Sequence, residues 1–271
     1  MLDSRAIIDS SAELGKNVSV GPWSTIGPGV VVGDDCHIGS HVILKGPTQI
    51  GRANKIYQFS SIGEDTPAIA YDGEPTSLLI GDNNIFREGV TVHRGMVQGG
   101  GITKIGSDCL FMAYVHIAHD CLVGNGVIMA NNASLSGHVV VGDYANFGGY
   151  AAVPQYRQVG AYAHIAGLSL VLKNVPAFVT VAGNPCSAIG INAEGIRRRD
   201  FSEKVIEALN NAYKIVYLRG LLLADAVQEL QKVVDEYSEI ALFADSLVTD
   251  KYGIVRPRKS SDDTKDKENN S

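Results

Sequence analysis

The chain has 271 residues, with 29 acidic against 23 basic side chains and a net charge of −6. A general nucleic-acid binder needs a basic face for phosphate, so this balance argues against that class. Glycine reaches 30 residues while aromatics make up only 7%, which suits a fold that turns often around a narrow core. The opening Met1-Leu2-Asp3-Ser4-Arg5 lacks the basic segment and apolar run of a secretory signal, so none is expected. No window approaches 18 uninterrupted apolar residues, which argues against a membrane span. Cys36, Cys109, Cys121 and Cys186 form no Cys-x-x-Cys pair and are expected to be reduced thiols of a cytoplasmic protein.

From Ile8 onward the sequence repeats with a period of six. Ile8, Leu14, Val20, Ile26, Val32, Ile38, Leu44, Ile50, Ile56 and Ile62 are all apolar. Glycine follows directly at Gly15, Gly21, Gly27, Gly33, Gly39, Gly51 and Gly63. The register resumes at Ile80, Phe86 and Val92, and again from Ile105 to Val171, giving 25 apolar stops without a polar one. A period of six fits neither a helix at 3.6 nor one long strand at 2. It predicts short strands, each with one inward side chain, joined by turns. Three such sides close a triangular coil of 18 residues, and stacked coils pair at the strand spacing of about 4.8 Å. The residue two before a stop is usually small or β-branched (Ala12, Val18, Ser24, Val30, Cys36, Val42). The turn glycines are expected to supply backbone angles that a Cβ forbids.

Two segments, 64–79 and 93–104, leave the repeat. Loops thrown out of a rigid prism are natural places for ligand contacts, tolerated insertions being the plainer alternative. From about Asn192 the spacing becomes helical. Ser202 with Glu203 reads as an N-terminal cap, and Val205, Leu209, Ala212, Ile215 and Val216 make an apolar face that Gly220 ends. Further helices are expected near 224–237 and 239–248. The expected division is a β-helix over 1–190, an α-helical domain over 191–256 and a disordered tail over 257–271, where the residues are nearly all polar. The repeat resembles the hexapeptide-repeat family, whose coils wind left-handed. The hand comes from that resemblance, against the general right-handed rule for crossovers. The implied fold class is an all-β left-handed parallel β-helix with a small C-terminal α-helical domain.

The segment His116-Ile117-Ala118-His119-Asp120 holds two of the seven histidines. One coil later stands Gly137-His138. One coil earlier stands His93, if the second loop replaces a single turn. Four histidines then gather on one external groove. They can be read as solvated surface groups near pKa 6.5. They can be read as a zinc site of the kind held by carbonic anhydrases of the same architecture. They can also be read as acid–base machinery, with a neutral imidazole taking a hydroxyl proton for about 10²–10⁴ in rate. Backbone N–H groups beside Gly137 could then hold a developing oxyanion.

Longer motifs carry a more specific resemblance. Thr91-Val92-His93-Arg94-Gly95 with Gln98-Gly99-Gly100-Gly101, His116 to Cys121, Ala130-Asn131-Asn132-Ala133, Gly137-His138-Val139 and Gly190 to Gly195 are similar to the UDP-N-acetylglucosamine O-acyltransferases of lipid A biosynthesis. So are Arg197-Arg198-Arg199 before Phe201 and the segment Asn211 to Lys214, and the likeness runs from residue 1 to about 256. It implies transfer of a 3-hydroxyacyl chain, carried on the phosphopantetheine of acyl carrier protein, to the 3-hydroxyl of UDP-N-acetylglucosamine. It implies no metal and no tightly bound cofactor. In that reading His119 is the general base, Asp120 orients it, and the Gly137 N–H stabilises the oxyanion. His93, His116, His138 and Gln155 line the sugar-nucleotide site. Asn192, Glu194, Arg198 and Arg199 contact donor or nucleotide, the arginines being suited to phosphate. Gly167 matches the position that limits acyl length, and glycine there leaves room for a long chain. The family works as a homotrimer with sites between neighbouring prisms. Arg197, Arg198, Arg199 and Lys204 are candidates for docking the acidic carrier protein.

Structural alternatives stand beside these roles. Asn192, Glu194 and Arg197 to Arg199 can be an ordinary helix entry, and Gly167 a plain turn glycine. The sequence also departs from the family. Pro67, Ala68, Ile69 and Ala70 stand where polar sugar contacts are usual, and Pro154 replaces a histidine before Gln155. Loss of polar contacts should relax or redirect acceptor choice. An N-acyltransferase for a UDP-3-amino sugar, or a paralogue with altered acceptor specificity, is the alternative function. The repeat starts by Ile8, so the extra N-terminal domain of the enzyme that adds the next acyl group is not expected. An ice-binding prism is disfavoured because Thr25, Thr48, Thr76 and Thr91 form no flat ladder.

Overall fold

Each period folds as a strand of two to four residues and a corner, and the apolar stop of the strand points inward. Ile26, Ile38, Leu44, Ile62, Phe86, Phe111, Ile117 and Leu135 are all at most 1% exposed. The computed structural model describes residues 1–248 and 252–258, so the expected tail from 259 onward lies outside the described residues. Every strand up to Val179–Gly183 pairs in parallel with the one a full coil away: Ile26 with Leu44, then Leu44 with Ile62. This builds three faces, with sheets of eight, eight and ten strands. The first face begins with Ile7–Ile8, the second with Glu13–Leu14 and the third with Ser19–Val20.

Both loops leave from the same corner, between first and second face, on consecutive coils. They are shorter than the repeat suggested. Ser77–Ile80 and Ile102–Ile105 are strands of the second face, so the irregular stretches narrow to 65–76 and 94–101. Leu78 and Thr103 explain the difference. Each takes the inner position two before its stop, each is fully buried, and the two pair with one another.

The corner glycines also act differently from expectation. Gly15, Gly21, Gly33, Gly51, Gly81 and Gly106 are not in the left-handed region; Gly63, at φ +84°, is. What excludes a side chain is the next coil. A Cβ on Gly33 would lie 2.7 Å from the Gly51 carbonyl carbon, and one on Gly106 2.7 Å from that of Gly124. Left-handed backbone falls two residues later, at Asn17, Asp35, Asn83 and Asp108, residue types that tolerate it. Aromatic residues take the same place on other coils. They stack from coil to coil, as Trp23, His41 and Phe59 do at 5.0 and 5.5 Å. The residue after the corner glycine supports the neighbouring coil. Asp34 accepts the Lys16 N–H at 2.7 Å, Asp82 that of Arg52 at 2.8 Å, and Asp143 that of Asn125 at 2.7 Å.

The prism ends where Val179–Gly183 turns back antiparallel onto Cys186–Ile191. Among the described residues four helices follow: α1 (Ala193–Arg197), α2 (Glu203–Tyr217), α3 (Leu223–Gln231) and α4 (Ser238–Asp245). Ser202 caps α2 as expected, accepting the Val205 N–H at 3.4 Å. Leu209, Ala212 and Val216 are buried on its inner face, with Val205 and Ile215 half-buried at the edge. The second expected helix stops at Gln231 rather than 237. The β-branched pair Val233-Val234 is a poor continuation, and a 3-10 turn, Val234–Glu236, replaces it. The helices share one apolar core with the last coils, α2 packing on Cys186–Ile191.

Candidate active site

The corner that releases both loops carries His119-Asp120 on the next coil, Gly137-His138 above it and Gln155-Tyr156 above that. Asp120 has a left-handed backbone (φ 59°), and its side chain is 1% exposed. Its carboxylate accepts the Met96 N–H, 3.0 Å from each oxygen, and faces His119 Nδ1 at 2.8 Å. With Asp120 ionised, Nδ1–H donates and the lone pair stands on Nε2, the tautomer a general base needs. Gly137 lies directly over that ring. A Cβ there would be 2.4 Å from Cε1 and 2.6 Å from Nε2, so only glycine leaves the imidazole its place. The Gly137 N–H has no hydrogen-bond partner among the described residues. It remains free beside the base.

Three further histidines, His93, His116 and His138, stand around this pair. His138 meets His119 edge-on at 4.9 Å and lies flat on Tyr156 at 4.4 Å. Its Nδ1 is 3.9 Å from Asp120, too far for a hydrogen bond. His93 and His116 make a second edge-on pair at 5.0 Å, and His116 Nδ1 bonds to Thr91 Oγ1 at 2.8 Å. Burial lowers the pKa of His93 to about 4, with His116 adding to the effect. Burial also lowers His116 and His138, although Asp120 opposes it at His138. His93 Nδ1 is buried without a partner. His119, Asp120 and His138 place ligand atoms within 4.8 Å of one another, a set that could hold a metal ion. The Asp120 lone pairs already accept N–H groups.

Arg94 anchors the two loops together. It is buried, donates to the Gly63 carbonyl at 2.5 Å, pairs with Asp65 and reaches the Tyr71 hydroxyl at 3.4 Å. The tip, Pro67 to Ala70, carries Ile69 fully exposed.

Asn192, Glu194, Arg198 and Arg199 are not brought to the histidines. They line a cleft of about 630 Å³ on the third face, with Tyr144, Tyr162 and His164. Asn192 caps α1, accepting the Gly195 N–H at 3.0 Å and donating to the Tyr162 carbonyl at 2.9 Å. Glu194 pairs with Arg198 at 2.9 Å, and Arg199 lies 4.0 Å over the Tyr144 ring. Arg197 pairs with Glu203 at 2.7 Å. Gly167 lies in neither group. It occupies the corner between third and first face, where a Cβ would come within 3.3 Å of the Gly149 carbonyl. Sequence reasoning missed Met96, Thr103 and Tyr156 around the histidines, and Tyr144, Tyr162 and His164 in the cleft. Tyr156 was within reach, since it stands one coil after His138. The contact from Met96 carries no side-chain signal, because a backbone N–H makes it.

Comparisons with known proteins bear on the family and the fold. Residues 174–255 match the family described as UDP-N-acetylglucosamine O-acyltransferase, domain 2. Residues 11–46 and 102–137 match the bacterial transferase hexapeptide. The acyl-[acyl-carrier-protein]–UDP-N-acetylglucosamine O-acyltransferase of Saccharophagus degradans is 54% identical over 93% of this chain and 97% of its own. The protein of the same name from Stutzerimonas stutzeri is 52% identical over 94% and 99%. The crystal structure of the UDP-N-acetylglucosamine O-acyltransferase of Moraxella catarrhalis superposes with a TM-score of 0.92 at 43% identity, covering 94% of this chain and 99% of that one. With these likenesses the prism is the left-handed β-helix.

Proposed function

The chain belongs to the acyl-[acyl-carrier-protein]–UDP-N-acetylglucosamine O-acyltransferase family, and from this we infer that it transfers an acyl chain from acyl carrier protein to UDP-N-acetylglucosamine, the first step of lipid A biosynthesis. The observation that carries the chemistry is the His119–Asp120 pair lying directly beneath Gly137. His119 Nε2 takes the proton of the sugar 3-hydroxyl, and the oxygen attacks the thioester carbonyl. The Gly137 N–H holds the oxyanion, and collapse releases the phosphopantetheine thiol, protonated from His119. Asp120 stabilises the imidazolium between these steps. His93, His116, His138 and Gln155 form the sugar wall, and the half-buried, neutral imidazoles there suit hydrogen bonding to an uncharged sugar. Arg198 and Arg199 meet phosphate, and Gly167 leaves space for a long 3-hydroxyacyl chain. Arg197 to Arg199 with Lys204 dock the carrier protein, and the enzyme acts in the cytoplasm.

The working unit is a homotrimer. Within one chain the histidine corner and the arginine cleft lie on different parts of the prism, so a neighbour's cleft completes the site. The corner between third and first face offers an apolar surface for such a contact, exposing Trp23, Phe59, Tyr114, Tyr150 and Leu168 along its length. Acyl transfer from 3-hydroxyacyl carrier protein to UDP-N-acetylglucosamine, run beside His119→Ala, tests the assignment. Product that vanishes in the variant supports it, and a folded but inactive wild type counts against it. The apolar tip Pro67 to Ala70 favours one second reading, a 3-amino sugar nucleotide as acceptor, and the same assay with that acceptor decides between them.

A further inference from the structure

The Asp120 carboxylate is enclosed by backbone of the second loop. Met96 N–H lies 3.0 Å from both oxygens. A Cβ on Gly95 would stand 2.8 Å from Oδ1. One on Gly99 would stand 2.5 Å from Oδ2 and 2.5 Å from His138 Cε1. Neither glycine is in the left-handed region, so close approach is what requires them. From the other side Thr103, fully buried, accepts the Asp120 N–H at 2.8 Å. That hydroxyl takes the place of the backbone carbonyl that receives the same N–H on other coils, as the His119 carbonyl does for His138. Arg94, one residue before Gly95, ties the same stretch to the first loop through Gly63, Asp65 and Tyr71.

We propose that the stretch from Gly95 to Thr103 is a positioning element for the reaction: the Met96 N–H, the room left by Gly99 and the Thr103 hydroxyl together lock Asp120 against His119 Nδ1 and keep water from the carboxylate. These residues touch no reacting atom and act through Asp120, so the inference rests on His119 being the base. A fixed partner holds the imidazole in one tautomer and one orientation. A loosened one lets the ring turn, which lowers turnover without changing how the sugar nucleotide binds.

The test compares Thr103→Val, Thr103→Ser and Gly99→Ala in the full chain. Steady-state kinetics use 3-hydroxyacyl carrier protein and UDP-N-acetylglucosamine, and proton NMR follows the low-field His119 Nδ1–H resonance, assigned by its loss in His119→Ala. Thr103→Val is expected to lower kcat by about tenfold or more with KM little changed, and Gly99→Ala, whose methyl also meets His138, to lower kcat at least as far. Both should broaden or remove the resonance. Thr103→Ser keeps the hydroxyl and should stay within about twofold of wild type in kcat. Unchanged kcat in both disruptive variants overturns the proposal, as does a loss that falls wholly on KM. An inactive wild type would defeat the functional assignment instead. The resonance then still decides, because its persistence unaltered in Thr103→Val and Gly99→Ala overturns the positioning role by itself.

Discussion

Single side chains at the histidine corner are governed by burial and by one carboxylate. His119→Ala should reduce transfer by about 10²–10⁴ while the circular dichroism spectrum stays that of the wild type. His93 offers a second check. Its pKa is lowered from 6.5 to about 4 by burial, so as pH falls the unfolded chain takes up the proton first. The stability tied to this group is complete above pH 6.5 and is lost progressively as pH falls through 4. Melting temperature measured across that window should fall less steeply in His93→Asn than in wild type. The slope will not vanish, because His116 and His138 shift in the same direction. At this scale the sequence revealed which residues share a corner, since the repeat places His138 one coil above His119. It could not reveal that Asp120 faces Nδ1, because side-chain direction follows from the left-handed backbone at position 120.

Among elements, the corner is the unit that repeats, and its glycine answers to the neighbouring coil. Gly33→Ala should cost about 1–3 kcal/mol in chemical denaturation, because the new methyl meets fixed backbone. Gly27→Ala should be far milder, its nearest contact being the Leu44 carbonyl at 3.3 Å. Asp82→Ala removes the acceptor of the Arg52 N–H and should cost about 1 kcal/mol by the same measurement. The positions of these glycines were plain in the sequence, but their reason was not. A period of six shows where the turn falls, whereas the distance between stacked corners is a property of the assembled coils. The loops behave alike: the repeat located both, yet pairing by Leu78 and Thr103 shortened them.

For the whole molecule, the separation of the histidine corner from the arginine cleft predicts sharing between chains. Sedimentation should give three chains per particle. His119→Ala and the Arg198→Ala/Arg199→Ala double variant, each inactive alone, should regain measurable activity when unfolded together and refolded as mixed trimers. Failure of well-formed mixed trimers to recover would place both halves of the site within one chain. By itself the sequence determined the prism, its three-sided coil and the grouping of His93, His116, His119 and His138, because a strict period converts residue number directly into height and corner. It placed Asn192, Glu194, Arg198 and Arg199 beyond the repeat, where number no longer maps onto position. Only the tertiary structure decided that they line the third face, that Asn192 caps a helix there, and that the second loop closes over Asp120. Those outcomes depend on where the chain reverses after Gly183 and on backbone contacts between segments, which no local pattern of side chains encodes.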